Sequence, residues 1–169
     1  MTSFIRKYAA MADMTEKDLQ TLFEFRPVTI GHDLYISGAK FKFYYSFHAI
    51  PCIGFEAEYE GKTLFFSGDT FYDPVGLKDL YENKKVFKKA RYEMLSGWDW
   101  NKYDCILHEA GVPPIHTPMK VLAALPDHIK AKMYLVHCSS KDVTPESGLL
   151  KAPIGIENTI VIFSCFLKF

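Results

Sequence analysis

Histidine and aspartate residues follow the ends of several short apolar runs in this sequence. His48 ends an aromatic run, Asp69 follows the run 63–67, and His137 follows the run 132–136. Imidazole and carboxylate groups together are ligands that suit zinc, iron or manganese. A carboxylate can bridge two such ions, and the pair would activate a water molecule and neutralise charge on a phosphodiester or an ester. These residue types therefore indicate metal-dependent hydrolysis.

A fourth run ends in the same way, because His108 and Glu109 follow the apolar run 104–107. When strands of an open α/β sheet end on one rim, the residues just past those strands converge on a single cleft. We therefore expect His108 and Glu109 to lie close to the three candidate metal ligands.

Each candidate also has a plainer explanation. A single histidine at a strand end is usually a hydrogen-bonded structural residue. The segment 67–70, Ser-Gly-Asp-Thr, is by itself a common turn, since glycine permits unusual backbone angles and Asp and Thr bond to the backbone. No two histidines are two residues apart, so the diagnostic spacing His-x-His is absent. The residues alone leave a metal site and a structural role both open.

The elements that would position these residues are strands that alternate with helices. Apolar and polar residues alternate along 40–47 and 52–59, and Glu60-Gly61 makes a tight turn into 63–67, which predicts a three-strand meander. Periodicity and turn signals predict the remaining elements. These are strands at 28–30, 34–36, 104–107, 132–136 and 159–166, and helices at 74–81, 86–95 and 119–125.

Two helix starts carry capping signals. Thr15 with Asp18 resembles a capping box for a short helix that runs to Phe23. Thr117 is a predicted N-cap, because Pro118 follows it at the first helical position. The alternation of strands and helices indicates a layered α/β fold, and we expect residues 1–169 to form one domain.

Composition narrows the class of protein further. The 169 residues are 49% apolar and 15% aromatic, enough for one domain with a substantial core. Twenty basic and twenty acidic residues balance, which gives no support for general attraction to nucleic acids. No apolar run reaches the ~20 residues that span a bilayer, so we expect no membrane partner. Four scattered cysteines are predicted to be buried free thiols, typical of a cytoplasmic protein.

Four segments together resemble metallo-β-lactamase-fold hydrolases. The segment 65–70, Phe-Phe-Ser-Gly-Asp-Thr, resembles the Gly-Asp-Thr element of that family. His108-Glu109-Ala110, followed by His116-Thr117, resembles elements of its ribonuclease Z and phosphodiesterase branch. The segment 134–140 resembles the final ligand strand of that branch, and His48 matches the histidine that precedes Gly-Asp-Thr. All four occur in family order.

The resemblance implies a role for each matching residue. His48 would bind the first metal ion, Asp69 would bridge both ions, and His137 would bind the second. His116 would face the scissile phosphate and protonate or stabilise the leaving oxygen. Glu109, or alternatively His108, would orient His116 or a metal ligand. The implied cofactor is a divalent metal, with zinc as the first choice and manganese or iron as alternatives.

One family motif is missing from this sequence. The opening motif His-x-His-x-Asp-His is absent, although it normally supplies two ligands to each of the two metal ions. A catalytic zinc usually has three protein ligands, so fewer should bind weakly. The resemblance thus covers the second half of an αββα sandwich, an incomplete metallo-β-lactamase-like domain with one mixed sheet and helices. One sheet face should then be uncovered, which favours a missing N-terminal half, a homo-oligomer or a partner chain.

Two functions from different classes follow. The first is a metal-dependent hydrolase of phosphodiesters, such as a cyclic nucleotide or RNA, that is weak or inactive as this chain alone. The second is a non-catalytic remnant or interaction module that keeps the same half fold. Stoichiometric metal that is lost on His137→Ala would favour the first.

Overall fold

The computed structural model describes residues 2–22, 26–139, 141–153 and 155. Its strands and helices alternate along the chain as the sequence predicts. In chain order the helices are α1 Thr2–Met11, α2 Glu16–Leu22, α3 Pro74–Glu82, α4 Lys89–Ser96, α5 Met119–Ala123 and α6 Asp127–Lys130. The strands are β1 Asp33–Ile36, β2 Ala39–Tyr45, β3 Ile53–Tyr59, β4 Lys62–Phe66, β5 Cys105–Glu109, β6 Met133–Val136 and β7 Leu150–Lys151.

The seven strands form one sheet in sequence order, β1 to β7. Neighbours from β1 to β4 are antiparallel, and neighbours from β4 to β7 are parallel. The predicted meander is confirmed, with β1 as a fourth strand beside it. Because β2 runs in the same direction as β4, β5 and β6, the carboxyl ends of these four strands lie at one edge of the sheet. The predicted single mixed sheet with helices is thus confirmed.

The two faces of the sheet differ in burial. Tyr44, Phe65, Ile106 and Met133 lie on the buried face, and four helices supply the residues that cover it: Leu77, Leu95, Leu122 and Ile129.

The opposite face carries a row of apolar residues in register across five strands. These are Phe43, Phe55, Phe66, Leu107 and Tyr134. All five are only partly buried in the part of the chain that the structure describes. This agrees with the expectation that one face of the sheet lacks a full covering layer.

Several element predictions need correction or lie outside the description. Residues 28–30 are not a strand, and α4 begins at Lys89 rather than 86. Thr15 does cap α2, since its Oγ1 accepts the backbone N–H of Asp18 at 3.1 Å. Phe23 and the strand predicted at 159–166 lie outside the described residues.

Thr117 is not the N-cap of α5. Its Oγ1 donates to the carbonyl of Thr70 at 2.8 Å and accepts from the backbone N–H of Tyr72 at 3.0 Å. The N-cap position belongs to Pro118, which has no capping side chain. Thr117 thus connects the loop after β4 with the loop before α5, and its side chain does not cap the helix.

Among the three cysteines that the structure describes, Cys105 is buried as predicted, whereas Cys52 and Cys138 are partly exposed; all three are free. Cys165 lies outside the described residues. No helix in the described ranges is long and apolar enough to cross a membrane.

Candidate metal and catalytic site

The candidate residues gather at the sheet edge formed by the carboxyl ends of β2, β4, β5 and β6. His48 and Asp69 each lie three residues beyond their strands, Glu109 is the last residue of β5, and His137 directly follows β6. His116 lies in the loop between β5 and α5. The direction shared by the four strands is the reason why residues far apart in sequence converge here.

Direct contacts connect the two loops that carry His48 and Asp69. Ser46 Oγ donates to the carbonyl of Asp69 at 2.6 Å, and the backbone N–H of Phe47 donates to Thr70 Oγ1 at 3.1 Å. The backbone N–H of Phe71 donates to the carbonyl of Phe47 at 2.6 Å. The loops after β2 and β4 are therefore held in a fixed relation.

Arg91 of α4 bonds to residues 45 and 46, the start of the loop that carries His48. Its Nη1 donates to the carbonyl of Tyr45 at 2.6 Å and its Nη2 to that of Ser46 at 2.9 Å. Burial lowers the pKa of this guanidinium below its ordinary value, but an arginine remains charged at neutral pH. Nothing in the sequence distinguished Arg91 from the lysines beside it.

Gly68 explains why a glycine precedes Asp69. Its φ is +59°, and a Cβ added there would lie 2.3 Å from the carbonyl oxygen of Ile53. Both the left-handed backbone and the close approach to β3 therefore require glycine. The turn therefore sets the backbone position of Asp69, from which its carboxylate extends.

Glu109 is almost fully buried, and both of its carboxylate oxygens have partners. Oε1 accepts the backbone N–H of Thr117 at 2.8 Å and that of Thr70 at 3.3 Å. Oε2 lies 3.0 Å from Nδ1 of His116. Burial raises the pKa of the Glu109 carboxyl above its ordinary value, although these partners favour the charged form. Glu109 thus fixes the orientation of His116.

Asp69 and His137 form a second carboxylate–imidazole pair, with Oδ1 2.9 Å from Nδ1. His137 has a φ of 53°, an unusual conformation for a residue with a side chain. The rings of His116 and His137 lie 5.2 Å apart, and those of His48 and His116 lie 5.1 Å apart. The three imidazoles and two carboxylates form one contiguous cluster.

Among the described residues, three members of this cluster have ligand atoms close enough to share one metal ion. Ligand atoms of Glu109, His116 and His137 all lie within 4.8 Å of one another. Carboxylates lie beside Nδ1 of His116 and His137, so Nε2 is the atom of each ring that would either bind a metal ion or, when protonated, donate a proton. This is the usual arrangement of metal-bound histidine, in which the second ring nitrogen bonds to a carboxylate.

His48 adds an independent sign of a missing partner. Its Nδ1 accepts the backbone N–H of Ile50 at 3.4 Å. Its Nε2 is buried and has no hydrogen-bond partner among the described residues. Buried polar atoms normally have partners, so the orphaned nitrogen indicates a missing partner. Metal binding through Nε2 would require the ring proton to lie on Nδ1, which would replace the long contact with Ile50.

Among the described residues, the predicted triad of His48, Asp69 and His137 does not form a close ligand group of its own. His137 contacts Asp69 and belongs to the group with Glu109 and His116, whereas His48 adjoins that group through the ring of His116.

His108 does not reach the cluster. It is 1% exposed and packs against the rings of Phe65, Tyr72 and Trp100. Its Nδ1 lies 2.7 Å from the carbonyl oxygen of Glu109, and burial lowers its pKa to about 4. Successive residues of a strand point to opposite faces, so His108 and Glu109 cannot both face the site. Glu109, rather than His108, is therefore the residue that contacts and orients His116.

Comparisons with known proteins agree with the motifs. Residues 4–148 match the family described as Anti-Pycsar protein Apyc1. The chain is 48% identical over 158 residues to cGMP-dependent 3′,5′-cGMP phosphodiesterase A of Dictyostelium discoideum, with 94% of this chain covered. It is 42% identical over 160 residues to cAMP/cGMP-dependent 3′,5′-cAMP/cGMP phosphodiesterase B of the same organism, with 95% covered.

The chain spans only a small part of those relatives, 18% and 14% of their lengths. Among solved structures it is similar to the metallo-β-lactamase fold protein YhfI from Bacillus subtilis, with 12% identity and a TM-score of 0.44. That match covers 71% of this chain and 46% of the other. The predicted resemblance to the phosphodiesterase branch is confirmed by the names of the two Dictyostelium relatives.

Proposed function

Since this chain belongs to the Anti-Pycsar protein Apyc1 family, we propose that it is a metal-dependent hydrolase of phosphodiesters that acts on cyclic nucleotides. The two Dictyostelium relatives are named for 3′,5′-cGMP and 3′,5′-cAMP/cGMP hydrolysis. The observation that carries the proposal is the pairing of two imidazoles with two carboxylates at one sheet edge.

His48, Asp69 and His137 are the proposed metal ligands, with zinc as the first choice and manganese or iron as alternatives. Imidazole nitrogen and carboxylate oxygen are the donors that zinc accepts in proteins. Asp69 also holds Nδ1 of His137, which would keep Nε2 of that ring available. A bound divalent ion would supply Lewis-acid stabilisation of negative charge on the phosphodiester.

His116 is the proposed proton donor, with Glu109 as the residue that positions it. The Glu109 carboxylate lies 3.0 Å from Nδ1 and fixes the orientation of the ring. The proton on Nε2 could then pass to the leaving oxygen of the diester. The His116 side chain is 18% exposed, so it is both held by the protein and open to a substrate.

Activity of this chain alone should be weak. Its six histidines include no His-x-His pair, and a catalytic zinc normally has three protein ligands. The same shortage favours the second candidate, a module that keeps the fold without turnover. The two candidates differ in whether the cluster binds metal and whether hydrolysis depends on His116.

The test is to purify the chain with zinc and measure both its metal content and its hydrolysis of cGMP and cAMP. We expect bound zinc that is lost in His137→Ala and retained in the control His128→Ala, an exposed histidine bonded to Asn101. Slow hydrolysis that disappears in His116→Ala would support catalysis. Zinc content and turnover that are equal in all variants would overturn the proposal, and zinc without turnover would leave the non-catalytic module.

A further inference from the structure

A cavity of about 400 Å³ opens directly beside His48. Its walls are mainly apolar and come from three parts of the chain: Phe47 after β2, Phe71 after β4 with Leu80 of α3, and Pro114 with Ile115 before His116. The volume is within the range of small-molecule sites, about 300–1,000 Å³. His48 is the proposed metal ligand that lines this cavity, and metal binding does not account for the apolar walls beside it.

We infer that this cavity receives the heterocyclic base of a cyclic nucleotide, an inference that rests on the proposed function. His48 lines the cavity, and its ring lies 5.1 Å from that of His116. A cyclic phosphate at the imidazole cluster would therefore direct its base past His48 into the apolar space. Aromatic and apolar walls suit a base because every nucleobase has a flat π-face.

The rim of the cavity presents charged groups that suit the polar edge of a base. Asp79 and Lys84 line it, with Lys84 Nζ 3.2 Å from Asp79 Oδ2. Asn83 Nδ2 also donates to Asp79 Oδ1 at 2.8 Å, and these two partners lower the pKa of Asp79. The rim thus offers an ionised acceptor beside a cationic donor, and the edges of nucleobases carry both donors and acceptors.

Contacts between neighbouring rings hold the aromatic wall of the cavity in place. The Phe47 ring lies edge-on to Phe71 at 6.2 Å and to Phe87 at 4.7 Å between centroids. Gly76 of α3 also lines the cavity, where a Cβ would come within 2.9 Å of the Phe71 ring. A pre-formed wall avoids the cost of ordering side chains on binding.

The experiment compares two substitutions in one loop. Ile115→Ala removes part of the apolar wall of the cavity. Val112→Ala is the control, because the Val112 side chain is exposed and does not line the cavity. Equilibrium binding is measured calorimetrically with zinc present, and because this chain alone should hydrolyse slowly, each titration is completed before turnover is significant. The probes are cGMP and ribose 3′,5′-cyclic phosphate that lacks a base. We expect wild type to prefer cGMP, and Ile115→Ala to weaken cGMP binding about tenfold, the scale of apolar pocket contacts.

Ile115→Ala should leave binding of the base-free probe unchanged, and Val112→Ala should behave as wild type with both probes. A second pair tests the rim: Lys84→Ala should weaken cGMP binding only, whereas the neighbouring Lys85→Ala should have no effect. Equal affinity of wild type for the two probes, no detectable cGMP binding, or equal effects of the paired variants would overturn the inference. Preferential cGMP binding without turnover in zinc would instead overturn the proposed hydrolase and leave the base site.

Discussion

Oε2 of Glu109 lies 3.0 Å from Nδ1 of His116, and the glutamate side chain is 1% exposed. A carboxylate in this position fixes the orientation of the ring. Removing the charge while retaining the shape should therefore reduce catalysis without unfolding the loop. We expect Glu109→Gln to lower kcat about 10–100-fold, the usual effect of losing such an orienting partner, with little change in KM for cGMP.

Glu93→Gln is the matched control for this substitution. Glu93 is exposed on α4 and pairs only with Lys89 at 3.6 Å, so kcat should stay at the wild-type value. Circular dichroism would check that both variants are folded. A kcat for Glu109→Gln equal to wild type would remove Glu109 from the proposed mechanism.

Asp69 should affect metal affinity through His137, since their side chains lie 2.9 Å apart. We expect Asp69→Asn to weaken zinc binding about 10–100-fold, because the amide is a poorer ligand and orients the imidazole less strongly. Competition with a chromogenic chelator would measure the affinity. Asp13→Asn, an exposed change near the N-terminus, should leave it unaltered; equal affinities for all three proteins would contradict this role for Asp69.

Arg91 should contribute to stability through the two carbonyls that it holds, those of Tyr45 and Ser46. Charged hydrogen bonds contribute about 1.5–3 kcal/mol each, and solvent reduces this for a half-exposed group. We expect Arg91→Ala to lower the free energy of unfolding in urea by about 1–3 kcal/mol, with Arg91→Lys intermediate. Lys88→Ala, an exposed change one turn away, should alter it by less than about 0.5 kcal/mol.

The strand ends that carry the site were predictable because each strand is defined by local alternation. His48, Asp69 and His137 follow apolar runs, and a strand must end where polar residues replace that pattern. The shared direction of β2, β4, β5 and β6 then brought them together. Local pattern placed these three residues and Glu109 at strand ends, and the motif resemblance added His116 and the expected roles.

Thr117 and Arg91 could not be found in the same way. The Thr117 hydroxyl bonds to Thr70, 47 residues earlier, and the Arg91 guanidinium bonds to Ser46, 45 residues earlier. Such contacts depend on how loops meet in the fold, and a Thr-Pro pair or a basic run has commoner local explanations. Thr117 was assigned to the nearest helix because a capping signal needs only neighbouring residues.

His108 should make stability depend on pH, because burial lowers its pKa to about 4 from an ordinary value of about 6.5. Between these values the unfolded chain binds a proton that the folded chain does not. Stability should therefore be fully present above pH ~6.5 and be lost as pH falls towards ~4. From pH 7 to pH 5 we expect a loss of about 2 kcal/mol from this group, measured by urea unfolding with chelator present.

His108→Gln separates this contribution from that of the other histidines. Glutamine is neutral at both pH values, so the part of the pH dependence that comes from position 108 should disappear in the variant. His32→Gln should keep the wild-type dependence, since His32 is exposed. If His108→Gln and wild type lose the same free energy between pH 7 and pH 5, the ring at 108 is not held neutral by the aromatic residues around it.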